Sequence, residues 1–270
     1  MSFPAITSPG NERIKRAVRL RRGTHRRDEG LTLVDGAREL TAALAAGVTF
    51  RQVYFHRGET PAEDLSKLLA DAAQAGAEVF EVSEAVAGRL AYGERRDGVW
   101  GAVVPPDRQL SDIELGAKPV VAVLEGVEKP GNLGAVVRSA DAAGVSAVIV
   151  ADGGTDLYNP NAIRASLGTI FRVPMCTAAS ADVLAWTRQH QLQLVAARLD
   201  GEAPPWDVDL TRPTALLLGA EATGLSTAWN QADVCAVRLP MQGIADSLNV
   251  STTAAVLFYE ALRQRLAKEA

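Results

Sequence analysis

Four short, unbroken apolar runs constrain this chain more than any other feature: Val120–Leu124, Ala147–Val150, Ala215–Leu218 and Val234–Val237, the last read as a strand reaching Leu239. A strand with one solvated face alternates polar and apolar residues, whereas one covered on both faces reads as a continuous hydrophobic run. Helix-length segments lie between them. Ala135–Ala143 is rich in small residues and closed by Gly144, and Ala162–Phe171 and Val183–His190 follow. Gln193–Ala197 reads as a further strand and Leu248–Leu266 as a long terminal helix. This order predicts an α/β domain with a parallel sheet covered on both sides, its ligand crevice at the carboxyl ends of the strands.

The first 104 residues predict a smaller α/β unit by the same grammar. Asn11 can cap a helix over Glu12–Arg22, and strands are expected at Leu31–Val34, Phe50–His56, Glu78–Val82 and Gly98–Val104. Helices are expected at Ala37–Ala46, Pro61–Ala75 and Ser83–Leu90. Residues 105–118, with paired prolines and mixed polarity, read as a linker to a domain over 119–270. With 270 residues and 47% apolar composition the chain can bury a large core, which excludes fibrous and wholly disordered classes. No apolar run is long enough to span a membrane, the N-terminus lacks a signal-like stretch, and only two cysteines occur. A soluble protein of the reduced cytoplasm is the expectation.

The net charge of −4 conceals an asymmetry. Residues 1–27 carry eight basic side chains (Arg13, Lys15, Arg16, Arg19, Arg21, Arg22, Arg26 and Arg27) against the single acid Glu12. The remainder holds 20 basic and 31 acidic residues. An acidic body with a basic amino-terminal segment suggests local contact with a polyanion such as RNA; a solvated helix face is the structural alternative.

Several chemistries lack their residues. There is no phosphate loop of the G-x-x-x-x-G-K-[ST] type, no G-x-G-x-x-G after a strand and no G-x-S-x-G elbow. His25, His56 and His190 are scattered, without ligand spacing to each other or to Cys176 and Cys235, so no metal is expected. Three polar, glycine-bearing loops do follow apolar strands: EGVEKPGNLGAVVRSADAAG at 125–144, LLGAEATGL at 217–225, and RLPMQGIADSLNVSTTAA at 238–255. Strand ends of this kind expose main-chain groups suited to an adenine or amino-acid moiety.

These three segments resemble the signature motifs of the SpoU/TrmH-type RNA 2′-O-ribose methyltransferases, members of the SPOUT superfamily. The stretch NPNAIRASLGTIFRVP at 159–174 is similar to the family's region between the first two motifs. The amino-terminal segments ITSPGNERIKRAVRLR and VDGARELTAALAAGV resemble the substrate-binding domain, with a ribosomal-protein-L30-like fold, of members that modify ribosomal RNA. The resemblance implies a trefoil-knotted catalytic domain, which topology rules alone would reject. It implies S-adenosylmethionine held by Ala197, Gly219, Ala220, Glu221, Leu239, Met241, Leu248 and Asn249, and a homodimer with the active site near the subunit interface.

The resemblance also assigns catalytic roles to Arg138, Asn132, Glu221, Asn249 and Arg164. A ribose 2′-hydroxyl is a poor nucleophile and needs positioning and loss of its proton. A guanidinium stays charged and is an awkward base, so Arg138 is expected to bind the adjacent phosphate and orient the hydroxyl, with that phosphate or water taking the proton. An Arg138–Asp141 pair at helical spacing is its structural alternative. Asn132 can act as a helix cap, Arg164 as a solvated charge, Glu221 as a cap after Gly219, and Ser247 as the cap of the terminal helix. Ribosomal RNA is the leading substrate expectation; a transfer-RNA enzyme and a catalytically silent RNA-binding protein are the alternatives.

Overall fold

A computed structural model of the chain describes residues 3–57, 61–91, 98–220, 222–231 and 233–269. The chain divides into two units, Met1–Pro106 with Tyr158–Arg172, and Asp107–Leu157 with Val173–Ala270.

In the first unit the chain runs through β1 (Ala5–Ile6), α1 (Glu12–Arg19), α2 (Gly23–Glu29), β2 (Thr32–Asp35), α3 (Ala37–Ala45) and β3 (Phe50–Phe55). It continues through α4 (Ala62–Gln74), β4 (Glu78–Val82), α5 (Glu84–Leu90) and β5 (Val99–Val103). The sheet order is β1-β4-β3-β5-β2, with β1, β4 and β3 parallel and β5 antiparallel to both its neighbours. Asn11 caps α1 by accepting from the Arg13 amide at 2.9 Å, as its side chain allows. In α4, Leu65, Leu68, Leu69 and Ala72 recur at helical spacing and are buried. The helix expected over Glu12–Arg22 ends at Arg19, and a second helix follows it. Arg22 is extended, and α2 starts at Gly23. The break lets Leu20 bury completely.

The second part of the chain runs through β6 (Val120–Glu125), α6 (Pro130–Ala143), β7 (Ala147–Ala151), α7 (Pro160–Ala165), β8 (Met175–Ala178) and α8 (Ser180–Gln189). Then come β9 (Gln193–Ala197), β10 (Thr214–Leu218), β11 (Val234–Val237) and α9 (Val250–Glu269). The sheet order is β11-β9-β10-β6-β7-β8, and every pairing is parallel. Val121, Val123, Ile149, Leu194, Ala215 and Leu217 face one core with Val183 and Trp186 of α8. The alternate residues face α6 and α9, which pack on each other, α6 also on β7 and α9 on β6 and β10. Register aligns Leu218 with Leu124 and Val237 with Ala197, so the carboxyl ends of β6, β9, β10 and β11 finish together.

Two expectations about boundaries change. Within the expected linker, Ile113 is buried in the second unit's core and Leu110 and Leu115 pack against it. Segment Tyr158–Arg172, expected within the domain over 119–270, groups with the first unit. Thr32 Oγ1 donates to the Tyr158 carbonyl at 2.6 Å, and the Tyr158 and Phe171 rings stack with centroids 5.8 Å apart. The helix expected over Ala162–Phe171 stops at Ala165, because Leu167 and Gly168 turn to positive φ.

Candidate functional site

The carboxyl ends of β9, β10 and β11 and the start of α9 enclose a cavity of about 390 Å³, in the size range of small-ligand sites. All three glycine-bearing segments that the sequence singles out meet near it: the second and third line it directly, and the first enters α6, which packs on α9. Of the expected donor-binding residues, Ala197, Gly219, Ala220, Leu239, Met241 and Leu248 line the cavity. Asn249 does not line it but sits between Leu248 and Val250, which do. Glu221 lies outside the described residues.

Backbone crowding shapes the walls. A Cβ on Gly219 would fall 2.2 Å from the Gly224 carbonyl carbon, and one on Gly201 2.6 Å from that of Val237. Only glycine permits such close passage of one main-chain segment past another. The loop after β10 closes on itself where the Gly224 amide donates to the Ala220 carbonyl at 2.9 Å.

The lining that sequence reading missed includes Arg198, Asp200, Thr223, Ser247 and Thr253. Arg198 donates through Nε and Nη2 to both Asp200 carboxylate oxygens at 2.8 Å, and through Nη1 to Asn230 Oδ1 at 2.6 Å. The hydrogen bond from Arg198 holds the Asp200 carboxyl below its ordinary pKa, and the same bond raises that of Arg198. Their position, immediately after the end of β9, was the available signal. The residues present fit S-adenosylmethionine: Leu225, Val237 and Val250 offer an apolar surface for an adenine, the strand ends offer main-chain groups, and Asp200, Asp246 and hydroxyls offer polar partners.

The helix α6 starts earlier than the sequence suggests. Lys129 is its cap residue and Pro130 its first, so Asn132 is inside the first turn and is not the cap. Asn249, rather than Ser247, caps α9: its Oδ1 accepts from the Ser251 amide at 2.9 Å and from the Ser251 hydroxyl at 2.6 Å. The Asn249 amide also donates to Asn132 Oδ1 at 3.4 Å, bringing two expected catalytic residues together. Arg138 is exposed on α6. Among the described residues no hydrogen bond or ion pair engages its guanidinium, and the alternative pairing with Asp141 is absent.

Several other expected site residues already have partners within the first unit. Arg164 belongs to the first unit, where its guanidinium reaches Asp35 Oδ2 at 2.9 Å, and that carboxylate is only 7% exposed. Of the eight amino-terminal cations expected to contact RNA, Arg26 is buried and donates to the Leu20 carbonyl at 2.8 Å, closing the α1–α2 turn. Arg21 donates to the carbonyls of Arg89, Leu90 and Ala91 at the end of α5. Arg13 pairs with Glu78 at 2.7 Å and covers the Phe80 ring, Lys15 pairs with Glu12, and Arg16 pairs with Glu29. Arg19, Arg22 and Arg27 are exposed, with no such partner among the described residues.

Among the described residues no helix is long and apolar enough to cross a membrane, and no group of three or more His, Cys, Asp or Glu could hold a metal ion.

Residues 119–259 match the SpoU rRNA methylase family, and residues 11–101 match the MRM3-like substrate binding domain. The chain is 30% identical to the 23S rRNA (adenosine(1067)-2′-O)-methyltransferase of Streptomyces azureus over 97% of both proteins. A solved RNA 2′-O ribose methyltransferase superposes with a TM-score of 0.85 at 44% identity, covering 97% of this chain and 99% of that one. The AdoMet-bound rRNA methyltransferase from Sinorhizobium meliloti superposes at 0.88 with 28% identity, covering 97% and 98%.

Proposed function

The chain belongs to the SpoU rRNA methylase family, and from that premise we propose that it methylates a ribose 2′-hydroxyl of 23S-type ribosomal RNA, with the donor in the cavity and Arg138 orienting the acceptor. The observation that carries this is the convergence of the second and third glycine-bearing segments on one cavity, with the first segment's helix bonded to its rim through Asn132 and Asn249.

When bound, S-adenosylmethionine supplies an electrophilic methyl group. Ala197, Gly219, Ala220, Leu239, Met241 and Leu248 hold it, with Glu221 and Asn249 assigned to the same pocket by the family motifs. Arg138 presents a guanidinium fork suited to bidentate capture of the phosphate beside the reacting ribose. Its permanent charge makes it a poor proton acceptor, so that phosphate or a water takes the hydroxyl proton. Asn132 and Asn249 tie the first turn of α6 to the rim of the cavity, which holds acceptor-side and donor-side groups in one frame.

Arg19, Arg22 and Arg27, exposed and with no hydrogen bond or ion pair among the described residues, are the RNA contacts of the first unit, in place of all eight cations. The trefoil knot accounts for the backbone crowding at Gly201 and Gly219. A homodimer accounts for the face of α9 on which Val256, Tyr259 and Leu266 recur at helical spacing and stay exposed. A cytoplasmic location goes with a ribosomal substrate. Incubation with methyl-labelled S-adenosylmethionine and separate pools of ribosomal and transfer RNA tests the reading. Label is expected in ribosomal RNA as 2′-O-methylribose; label confined to transfer RNA would overturn the substrate assignment.

A further inference from the structure

Glu125, the last residue of β6, is a buried carboxylate to which neither methyl transfer nor donor binding assigns a role; it is 5% exposed. Its Oε1 accepts from Ser180 Oγ at 2.8 Å, Ser226 Oγ at 2.7 Å and Trp229 Nε1 at 2.9 Å, and its Oε2 accepts from the Ser226 amide at 2.5 Å. Every one of these donors is neutral. Burial pushes the carboxyl pKa up, but the bonds from Ser226, Ser180 and Trp229 outweigh it and the pKa lies below the ordinary value. The charged form is therefore the one the fold is built around.

Ser226 directly follows Leu225, and Ala222, Thr223, Gly224 and Leu225 form one wall of the cavity. Trp229, fully buried, anchors the same limb in the core. The residue after β6 runs close to the other limb: a Cβ on Gly126 would lie 3.3 Å from that of Ala220. The end of β6 thus holds one limb of the loop by hydrogen bonds and runs close to the other, and the next segment of chain leads into α6 and Arg138.

We infer that Glu125 is a positioning residue that holds the loop after β10 against the end of β6 through Ser226 and Trp229, and so sets affinity for the methyl donor without touching it. This rests on reading the cavity as the donor site. The geometry makes the substitution Glu125→Gln informative. Two of the four donors, the Ser226 amide and the Trp229 indole, are N–H groups that cannot turn into acceptors, and they face opposite oxygens. Whichever way a glutamine amide is oriented, its NH2 group confronts one of them.

The test compares the natural chain with Glu125→Gln. In Glu125→Gln the dissociation constant and KM for S-adenosylmethionine are expected to rise on the order of tenfold, the effect of one stranded buried donor. The kcat at saturating donor and the KM for RNA should stay within about twofold, a split that general destabilisation would not produce. Amide hydrogen exchange on the ligand-free chains reads the loop itself. Faster exchange confined to 222–229 supports the role, and unchanged exchange together with unchanged donor affinity overturns it. Should the natural chain fail to bind S-adenosylmethionine, the functional reading falls, and the exchange comparison still decides whether Glu125 holds the loop. Should Glu125→Gln lose its cooperative unfolding transition, Ser226→Ala, which keeps the charge and removes the hydroxyl's bond to Glu125 together with its acceptance from the Ala228 amide, replaces it; about a threefold weaker donor affinity is expected, and none overturns the proposal.

Discussion

Arg138 and Arg164 stand in neighbouring stretches that both resemble the family's pattern, yet the fold uses them in opposite ways. The α6 helix presents Arg138 to solvent with no acceptor engaged among the described residues. Segment Tyr158–Arg172 commits Arg164 to a carboxylate that is itself nearly buried. A surface ion pair contributes little, but removing one member of a buried pair strands the other's charge. The contrast teaches that arginines in similar motif stretches can differ in what already engages them, and the proposed roles of Arg138 and Arg164 rest on that difference. The same difference separates Arg19, Arg22 and Arg27 from the five amino-terminal cations already engaged within the first unit.

The largest effect is expected at Arg138. Arg138→Ala should slow methyl transfer by at least about 10²-fold and leave donor affinity within about twofold, as single-turnover transfer and calorimetric titration would show. Weakened donor binding in a folded variant would break the contrast from that side. Arg164→Ala should cost roughly 3 kcal/mol of stability, read from the urea midpoint, while transfer at saturating substrates stays within severalfold. Adding Asp35→Asn should recover part of that loss. Normal stability with lost transfer would return Arg164 to the catalytic set.

A smaller effect is expected from RNA binding. Replacing Arg19, Arg22 and Arg27 by Gln should lower the salt slope of RNA affinity by about two to three. Replacing Arg13 and Arg16, which are paired internally, should lower it by less than about one. Equal slopes for the two variants would mean that partner accounting does not find the RNA face. The smallest effect is expected in acid. Because the folded-state pKa of Glu125 lies below its ordinary 4.5, its stabilisation is complete above that value and lost as pH falls through the lower folded value. Its partners are neutral, and Asp152, which accepts from the Ser180 amide, is the other carboxylate at this point. The stability gap between the natural chain and Glu125→Gln should therefore narrow below about pH 4.5 in urea titrations; a gap that widens there would contradict the assignment.

The strand-end loops were legible because their chemistry is local: an apolar run, a glycine and a polar turn announce a crevice wherever the sheet goes. Val120–Leu124, Ala215–Leu218 and Gln193–Ala197 lie within a residue of the observed strands for the same reason. What stayed hidden depends on distant partners or on short elements. β8 spans only four residues, one of them polar, directly after Pro174, and gives no periodic signal. Pro130-Gly131-Asn132 reads as a turn but opens α6, since a proline suits a first helical position. Arg26 looks like its basic neighbours until the Leu20 carbonyl is seen beneath it. Asp35 lies 129 residues from Arg164, and Ser226 lies 101 from Glu125; no sequence spacing reveals such pairs.

The most direct measurement of the central claim runs the natural chain and Arg138→Ala side by side with methyl-labelled S-adenosylmethionine and ribosomal RNA, measuring donor binding and mapping any labelled nucleotide. Both proteins are predicted to bind the donor equally, and the natural chain alone to leave a methyl group on a ribose 2′-oxygen. Label on a base, or equal transfer by the two, would contradict the account.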